Sequence, residues 1–409
     1  MTPRRHDAPL ALYVHFPWCV AKCPYCDFNS FALRGELPTG DYLDALGRDL
    51  DAQLDWFARH GVALARRPVN SIFMGGGTPS LFAPEALGHW LEQLRTRLAL
   101  ATDVEITLEA NPGTIERGRF EGYRDAGINR VSLGAQSFGA AQLALLGRIH
   151  APDDTRRAAE ELHAVGLANF NLDLMYALPQ QTPAMARADV AAALALQPAH
   201  VSHYQLTLEP GTTFAALPPA ELPDDDMAER MLAECLELLE RDGFERYEVS
   251  AYARRGARCR HNLNYWGFGD YLGIGAGAHG KISAADAADA AAVDAGGALR
   301  IWRTTRPREP RRYLADPVTL QVTEVPPEQR PFEFLLNALR QVDGFDAAQF
   351  ELATGLRWAD QDAATRPLLE RGLLVQDVPG RDGATTRIRA TARGLHFLND
   401  LLVEYLPGQ

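Results

Sequence analysis

Three cysteines near the start of the chain have side chains that bind metal. Cys19, Cys23 and Cys26 follow the spacing C-x3-C-x2-C within the run YVHFPWCVAKCPYC. Thiolates are the usual ligands of iron–sulfur clusters, and a cubane cluster normally takes four of them. Three thiolates leave one iron open, where a small molecule can bind. The spacing therefore favours a cluster that binds a ligand rather than one that only carries electrons.

Zinc is the alternative metal, because a Cys3His set completed by His15 or a distant residue also suits it. Structural zinc sites more often use two paired C-x2-C knuckles. The remaining cysteines, Cys235 and Cys259, lie far along the chain and do not form a second pair. The spacing thus favours iron and sulfur over zinc.

The composition limits the class of protein. With 409 residues, 46% of them hydrophobic, the chain is long enough for a barrel-sized core and one or two smaller modules. It has no apolar run long enough for a transmembrane helix, and its first residues lack the apolar stretch of a signal peptide. Three of the five cysteines are clustered, which suits a reducing cytoplasm, and we expect that location. A net charge of −12 argues against a nucleic-acid partner.

Short β-type segments alternate with amphipathic, helix-compatible stretches. The six segments are 11–16, 71–74, 105–109, 130–134, 169–174 and 200–206. This alternation predicts parallel βαβ units. Six such units without a dinucleotide-binding fingerprint predict an α/β fold, a partial (β/α)6 barrel. In barrels of this kind the functional site lies at the carboxyl ends of the strands.

Polar residues and glycines occur where each predicted strand ends. The cysteines follow the first strand, Gly75-Gly76-Gly77-Thr78-Pro79 the second, and Glu109, Gln136, Asp173 and His203-Tyr204-Gln205 occupy the ends of the others. A glycine turn lets backbone N–H groups approach a charged ligand closely. Each feature alone is a weak signal. Six of them at one edge of a barrel predict a ligand site.

The motifs resemble those of the HemN/HemW family within the radical S-adenosylmethionine (SAM) superfamily. They are YVHFPWC-x3-CPYCDFNS, GGGTPS, LEANPGT, RVSLGAQSF, LLGRIH, FNLDLMYALP and RHNLNYWGFGDYLGIGAGAHGK, which together span nearly the whole chain. The resemblance implies that Cys19, Cys23 and Cys26 hold a [4Fe-4S] cluster whose open iron binds SAM. It implies a SAM pocket made of Tyr13, Gly76, Gly77, Thr78, Glu109, Gln136, Arg148 and Asp173. Asp173 and Gln136 suit the ribose, Glu109 the ribose or ammonium, and Arg148 the carboxylate.

The family contains two functions of different class. Some members are oxygen-independent coproporphyrinogen III oxidases, which decarboxylate propionates by radical chemistry. Others, the HemW-type members, are heme chaperones that bind heme and pass it to acceptor proteins. Radical chemistry on another tetrapyrrole or small molecule is a third alternative.

Three features favour the chaperone. The oxidases continue their signature to a fourth cysteine, where this chain has Phe28, and they carry a longer segment before the position of Tyr13. Residues 261–266 match the HNxxYW motif associated with heme, so His261 is the predicted heme-iron ligand. Cys259 and His279 are weaker candidates. The resemblance leaves enzymatic activity open and favours a chain without coproporphyrinogen oxidase activity.

The remaining expectations concern domains and partners. We predict a barrel over 1–210, an extension with the heme motif over 211–330, and a mainly helical, winged-helix-like domain over 331–409. The last has three helices, a hairpin and a closing helix over 392–405. It carries 11 acidic and 8 basic residues, which indicates a lid or a protein-docking module rather than a DNA-binding one. The expected partners are heme and heme-accepting proteins, with respiratory proteins as candidates; a homodimer and a peripheral membrane contact remain open.

Overall fold

The computed structural model describes residues 10–113, 118–285, 299–377 and 386–406. The strands are, in chain order, β1 Leu10–Phe16, β2 Trp18–Cys19, β3 Phe31–Ala32, β4 Val69–Gly76, β5 Leu100–Ala110, β6 Arg130–Gln136, β7 Phe170–Tyr176, β8 His200–Gln205, β9 Glu245–Arg246, β10 Ala251–Ala253, β11 Asp270–Ile274, β12 His279–Ala285, β13 Leu299–Thr305, β14 Gln321–Glu324, β15 Phe345–Asp346, β16 Leu374–Asp377 and β17 Arg387–Ala390.

The helices lie between the strands and after them. They are α1 Thr39–Arg59, α2 Pro84–Arg97, α3 Phe120–Asp125, α4 Ala140–Leu145, α5 Pro152–Ala164, α6 Pro183–Ala195, α7 Thr213–Ala216, α8 Asp225–Arg241, α9 Arg260–Trp266, α10 Pro310–Ala315, α11 Arg330–Ala338, α12 Ala347–Thr354, α13 Asp362–Glu370, α14 Ala392–His396 and α15 Leu398–Val403. In the described ranges, no helix combines the length and apolarity needed to cross a bilayer.

The six predicted strands are present as β1, β4, β5, β6, β7 and β8, and they pair in parallel in that order. Helices α1, α2, α3, α5 and α6 follow or connect them, as βαβ units require. The sequence-based prediction of a partial (β/α)6 barrel is therefore confirmed.

Strands from the segment 211–330 extend this sheet at both edges. β11 pairs in parallel with β1, and β12, β13 and β14 continue antiparallel beyond it. At the other edge β10 and β9 add antiparallel to β8. The extension thus places its heme motif, at α9, next to the first strands of the barrel, where α9 packs on β4 and β11.

Side chains alternate along the parallel strands between an apolar outer face and a polar inner face. Outward residues such as Leu12, Ile72, Leu108 and Leu172 are fully buried in a core shared with the surrounding helices. Inward positions carry polar groups instead, among them Tyr13, His15, Glu109, Arg130, Ser132, Asn171 and Asp173. Barrel interiors are normally filled by branched apolar residues. This interior is therefore built to hold a ligand.

The C-terminal residues form a second core, which also includes Phe268, Leu299, Ile301 and Val325 of the barrel extension. Phe334 packs edge-to-face against Phe345 and Phe350, with ring centroids 5.0 and 5.2 Å apart. Three helices, α11 to α13, precede the hairpin of β16 and β17, and β15, between α11 and α12, completes a small sheet ordered β15-β17-β16, which matches the predicted winged-helix-like outline. Residues 378–385, which connect β16 to β17, lie outside the described ranges.

The predicted single closing helix over 392–405 is wrong. The chain forms two short helices, α14 and α15, and Phe397 between them has φ −105° and ψ 39°, outside helical values. The change of direction buries Leu398, Leu401 and Leu402 in the C-terminal core. Tertiary packing therefore overrides a continuous helical pattern here.

Candidate functional site

The three cysteines lie on one loop at the carboxyl end of β1. Cys19 closes β2, and Cys23 and Cys26 follow in the loop before β3. The Lys22 ammonium holds this loop by donating to the carbonyls of Phe28 and Ser30, at 3.0 and 2.9 Å. All three cysteines are half-buried and line a first cavity of about 340 Å³.

The surroundings of the thiols fit a cationic metal cluster. Burial raises the pKa of Cys19 and of Cys26, and the neighbouring thiols add to both shifts. A bound cation reverses this tendency, because it stabilises the thiolates. Three soft sulfur donors on one short loop are the ligand set of an iron–sulfur cluster with one open iron.

The zinc alternative gains no support from the geometry. Both ring nitrogens of His15 are engaged, Nδ1 with the Tyr13 hydroxyl and Nε2 with the Asn29 carbonyl, each at 2.9 Å. Across the described ranges, no three side chains of His, Cys, Asp or Glu converge tightly enough to hold a single metal ion.

The glycine turn after β4 forms the wall opposite the cysteines. The Gly77 N–H donates to the Phe16 carbonyl at 2.6 Å, and the Thr78 N–H donates to the Trp18 carbonyl at 2.7 Å. A Cβ on Gly76 would lie 2.3 Å from the His15 ring, and Gly76 has φ +105°. Only glycine fits at this position, because the turn needs both the left-handed backbone and the missing side chain.

Residues from β6 and the loop before α5 complete the first cavity. Gln136 adopts φ +66°, which is uncommon for a residue other than glycine, and its Oε1 accepts from the Tyr204 hydroxyl at 2.7 Å. Arg148 donates to Asn111 Oδ1 at 2.5 Å and to the Gly134 carbonyl at 2.8 Å. The Arg148 Nε atom is buried and has no hydrogen-bond partner among the described residues, so the guanidinium keeps a donor for an anionic group.

Two acidic residues lie deep in the barrel. Glu109 Oε2 accepts from the Gly76 N–H at 2.9 Å, and burial followed by the charge of Asp173 raises the pKa of Glu109 to about 8. Asp173 accepts from Ser132 and Asn171, at 3.1 and 2.8 Å, and burial raises its pKa as well. These carboxyls can accept hydrogen bonds from ribose hydroxyls or balance the charge of an ammonium.

A second, larger cavity of about 790 Å³ adjoins the first. Ligand pockets usually measure about 300–1,000 Å³. Five residues line both cavities: Phe28, Gly76, Glu109, Ser132 and Asp173. The second cavity therefore opens directly onto the region where SAM is expected.

Aromatic residues wall the second cavity. His261, Tyr265 and Trp266 of α9 lie on one side, and Phe73, Tyr271 and His279 come from the sheet. The Trp266 Nε1 donor is buried without a partner. Flat apolar walls with free polar atoms suit a planar macrocycle that carries polar substituents.

His261 lies within this wall and is buried. Its Nδ1 lies 3.4 Å from Ser71 Oγ, and its ring is 5.1 Å from that of Phe73. Burial, with the charge of Arg130, lowers the pKa of His261 to about 3. The imidazole is therefore neutral near pH 7, which is the form that binds iron. Cys259 lies outside the cavity lining, with its thiol directed at Glu105 Oε1, 3.6 Å away.

The structure brings most of the predicted SAM residues together and sets one apart. Gly76, Gly77, Thr78, Glu109, Gln136, Arg148 and Asp173 line the first cavity with the three cysteines. Tyr13 lines the second cavity instead, because it is an inward residue of β1 beside Gly273 of β11. Its role in SAM binding stays a prediction.

The sequence interpretation missed several residues of the two cavities. Asn111 joins Thr78 to Arg148, and Arg130, Phe73 and Tyr271 line the second cavity. For Arg130, the available signal was the alternation along β6, because Arg130, Ser132, Gly134 and Gln136 share one face. No local pattern places Tyr271 beside β1, since their pairing spans the length of the chain.

Together, the partial parallel barrel and the three-cysteine loop at its carboxyl edge define a radical SAM protein. The family model described as the radical SAM superfamily matches residues 13–193, and the model of the HemN C-terminal domain matches residues 325–397. Membership of this superfamily implies a [4Fe-4S] cluster and SAM. The cysteine loop and the first cavity fit both groups.

Full-length relatives narrow the assignment. The heme chaperone HemW of Escherichia coli K12 is 44% identical over 403 residues, covering 97% of this chain and 98% of its own length. The heme chaperone HemW of Haemophilus influenzae is 42% identical over 398 residues, with the same two coverages. The chain belongs to the HemW family, which confirms the resemblance read from the motifs.

A solved structure supports the fold alone. Coproporphyrinogen III oxidase (HemN) from Escherichia coli, a radical SAM enzyme, superposes with a TM-score of 0.76 at 22% identity. The match covers 98% of this chain and 91% of that one. It agrees with a barrel followed by a C-terminal domain.

Proposed function

We propose that this protein is a heme chaperone, which binds heme in the second cavity and passes it to acceptor proteins. A SAM-bound [4Fe-4S] cluster on Cys19, Cys23 and Cys26 occupies the adjoining first cavity. The observation that carries the proposal is the contact between the two cavities: the HNxxYW side chains wall one, the cysteines wall the other, and five residues line both. Relatives that share almost the full length of the chain are named heme chaperones.

His261 is the proposed axial ligand of the heme iron. Its ring is neutral, lies in the cavity wall, and has no hydrogen bond at Nε2 within the described ranges. Tyr265 and Trp266 lie beside it and offer aromatic surface to the macrocycle. Cys259 is a poor alternative because burial raises its pKa to about 11, which keeps the thiol protonated.

The SAM site follows from the first cavity. We assign the Arg148 guanidinium to the carboxylate of SAM, the Gly76–Thr78 turn to its methionine portion, and Asp173 and Gln136 to its ribose. All of these residues line the first cavity. When bound, the cluster and SAM supply a redox-active neighbour to the heme cavity. The chain's own residues position both groups on one edge of the barrel.

An anaerobic heme titration of cluster-reconstituted protein tests the proposal. Absorbance is expected to saturate at one heme per chain, and His261→Ala is expected to weaken binding and shift the spectrum. His279→Ala is the matched control, since this second histidine lines the same cavity. Absence of saturable binding contradicts the chaperone, and a spectral change in His279→Ala alone contradicts the ligand assignment.

Transfer and catalysis need separate assays. Heme-loaded protein mixed with apomyoglobin, a generic heme acceptor, is expected to lose its heme spectrum as holo-myoglobin forms. The reduced protein with SAM and coproporphyrinogen III is expected to give no decarboxylated product, because Phe28 occupies the position of the oxidases' fourth cysteine. Decarboxylation in this assay would instead support the oxidase.

A further inference from the structure

Arg130 is a buried cation that makes no side-chain hydrogen bond or ion pair to any described residue. It begins β6, is 2% exposed, and lines the second cavity. Its Nε atom has no hydrogen bond, and within the described ranges its guanidinium forms no ion pair. Buried arginines are ordinarily paired, because an unpaired charge in a protein interior is strongly unfavourable.

The nearby acidic groups are engaged elsewhere. Glu105 Oε1 accepts from the backbone N–H groups of Arg260 and His261, at 2.9 and 3.4 Å. Asp173 accepts from Ser132 and Asn171. Burial lowers the pKa of Arg130. Nearby groups, among them Cys259, Glu105 and Asp173, raise it by more, so the pKa lies above its ordinary value. The guanidinium is therefore charged and faces the cavity with unused donors.

A planar guanidinium matches a carboxylate, since two N–H groups can donate to its two oxygens. The second cavity supplies the space for such a group, and Ser132 and Asn171 line it beside Arg130. The charge of Arg130 contributes to the lowered pKa of His261, so the two side chains interact electrostatically within one cavity. A ligand that meets both must carry an anionic group as well as a metal or an apolar face.

We propose that Arg130 binds a carboxylate of the ligand in the second cavity, which for heme is one propionate. This inference rests on the proposed function and specifies the orientation of the cargo. Both propionates of heme lie on the same edge of the macrocycle, so that edge would lie toward Arg130 and the opposite edge toward the mouth of the cavity.

Arg308 is the matched control for this role. It also lines the second cavity, but it is exposed and its Nε lies 3.4 Å from Asn29 Oδ1. An anionic group that contacts Arg308 would remain hydrated, so such a contact adds little to affinity. The two arginines therefore differ in burial while sharing charge and cavity.

Changing both the protein and the ligand tests the proposal. Hemin is compared with hemin dimethyl ester, in which both propionates are uncharged esters. Each ligand is titrated, in the same non-ionic detergent, into the cluster-reconstituted protein and into its Arg130→Met and Arg308→Met variants. The unchanged protein is expected to bind hemin at least about tenfold more tightly than the ester. Arg130→Met is expected to lose most of that preference, and Arg308→Met to keep it.

The outcomes separate the inference from the proposed function. Equal affinity of the unchanged protein for hemin and its ester overturns the inference, as does a full preference retained by Arg130→Met. Absence of saturable hemin binding to the unchanged protein overturns the proposed function itself. Should Arg130→Met fail to fold, Arg130→Gln replaces it, because glutamine keeps hydrogen-bonding groups at this position without the charge; an unchanged preference in that variant also overturns the inference.

Discussion

The Arg148 guanidinium donates a hydrogen bond to the Cys23 sulfur at 3.5 Å, although the two residues are 125 positions apart. The same side chain bonds Asn111 and Gly134 and keeps its Nε buried without a partner. One arginine thus contacts a proposed cluster ligand and presents a donor to the proposed SAM pocket.

Replacing Arg148 by alanine is expected to weaken SAM binding by about 10–100-fold, because a charge-assisted hydrogen bond to the SAM carboxylate is lost. Calorimetric titration of cluster-reconstituted protein with SAM measures the change. Arg156→Ala is the control, since that arginine is partly exposed on α5, lies outside the lining of the first cavity, and interacts with Asp153 and the Phe138 ring. Unchanged SAM affinity in Arg148→Ala would show that this arginine does not hold the carboxylate.

Gly77→Ala is expected to destabilise the protein by about 1–3 kcal/mol, because the new methyl group overpacks a tight turn. A Cβ at this position would lie 2.5 Å from the Trp18 carbonyl oxygen and 2.7 Å from the Phe16 carbonyl oxygen. Urea unfolding measures the effect. Gly40→Ala is the matched control, since a Cβ at the start of α1 meets no atom within 4 Å. Equal midpoints for the two variants would refute the tight packing of the turn.

Glu109 is expected to make stability depend on pH. Its pKa is about 8 in the folded protein against an ordinary 4.5, so between these values the folded state keeps a proton that the unfolded chain has released. The free energy of unfolding therefore falls as pH rises through this window, by about 1.4 kcal/mol per pH unit from this group. Above pH 8 the contribution is fully lost and the slope vanishes.

Comparison with Glu109→Gln isolates this dependence, because glutamine does not titrate. Urea unfolding of the cluster-free forms at several pH values between 5.5 and 8.5 gives the two profiles. The difference in unfolding free energy, native protein minus variant, is expected to decrease steadily up to pH 8. Parallel profiles across the range would contradict the raised pKa.

Asp49→Ala is expected to cost about 3–5 kcal/mol of stability, because it leaves the buried Arg306 guanidinium unpaired. Asp49 accepts from Arg306 Nε at 2.6 Å, from the Gly275 N–H at 3.0 Å and from the Tyr313 hydroxyl at 2.9 Å. Thermal or urea unfolding measures the loss. Asp51→Ala, which breaks an exposed pair with Arg97, is expected to cost less than about 1 kcal/mol. Equal losses in the two variants would contradict the account.

The six barrel strands could be predicted from the sequence because each strand carries its own local pattern. Alternating βα segments and the polar residues at their ends predicted the six parallel strands and the first cavity. Asn111, Gln136 and Arg148 meet there because parallel strands end at one edge.

The second cavity could not be predicted from local pattern. It forms only when β11 pairs with β1, which brings Tyr271 beside Ala11 and places α9 against β4. Arg130 was missed for a related reason: alternation along RVSLGAQ places it on one face with Ser132, Gly134 and Gln136, but alternation alone does not say what this face meets. Contacts between distant segments decide both features.

Glu105 and Glu109 belong to the same strand, β5, and point into the barrel at two depths. Glu105 accepts from the first N–H groups of α9, which carries His261, whereas Glu109 accepts from the Gly76 N–H of the glycine turn. Four residues of extended chain span about 13 Å, and a strand paired on both sides does not stretch. The separation between α9 and the glycine turn is therefore set by the covalent geometry of this strand.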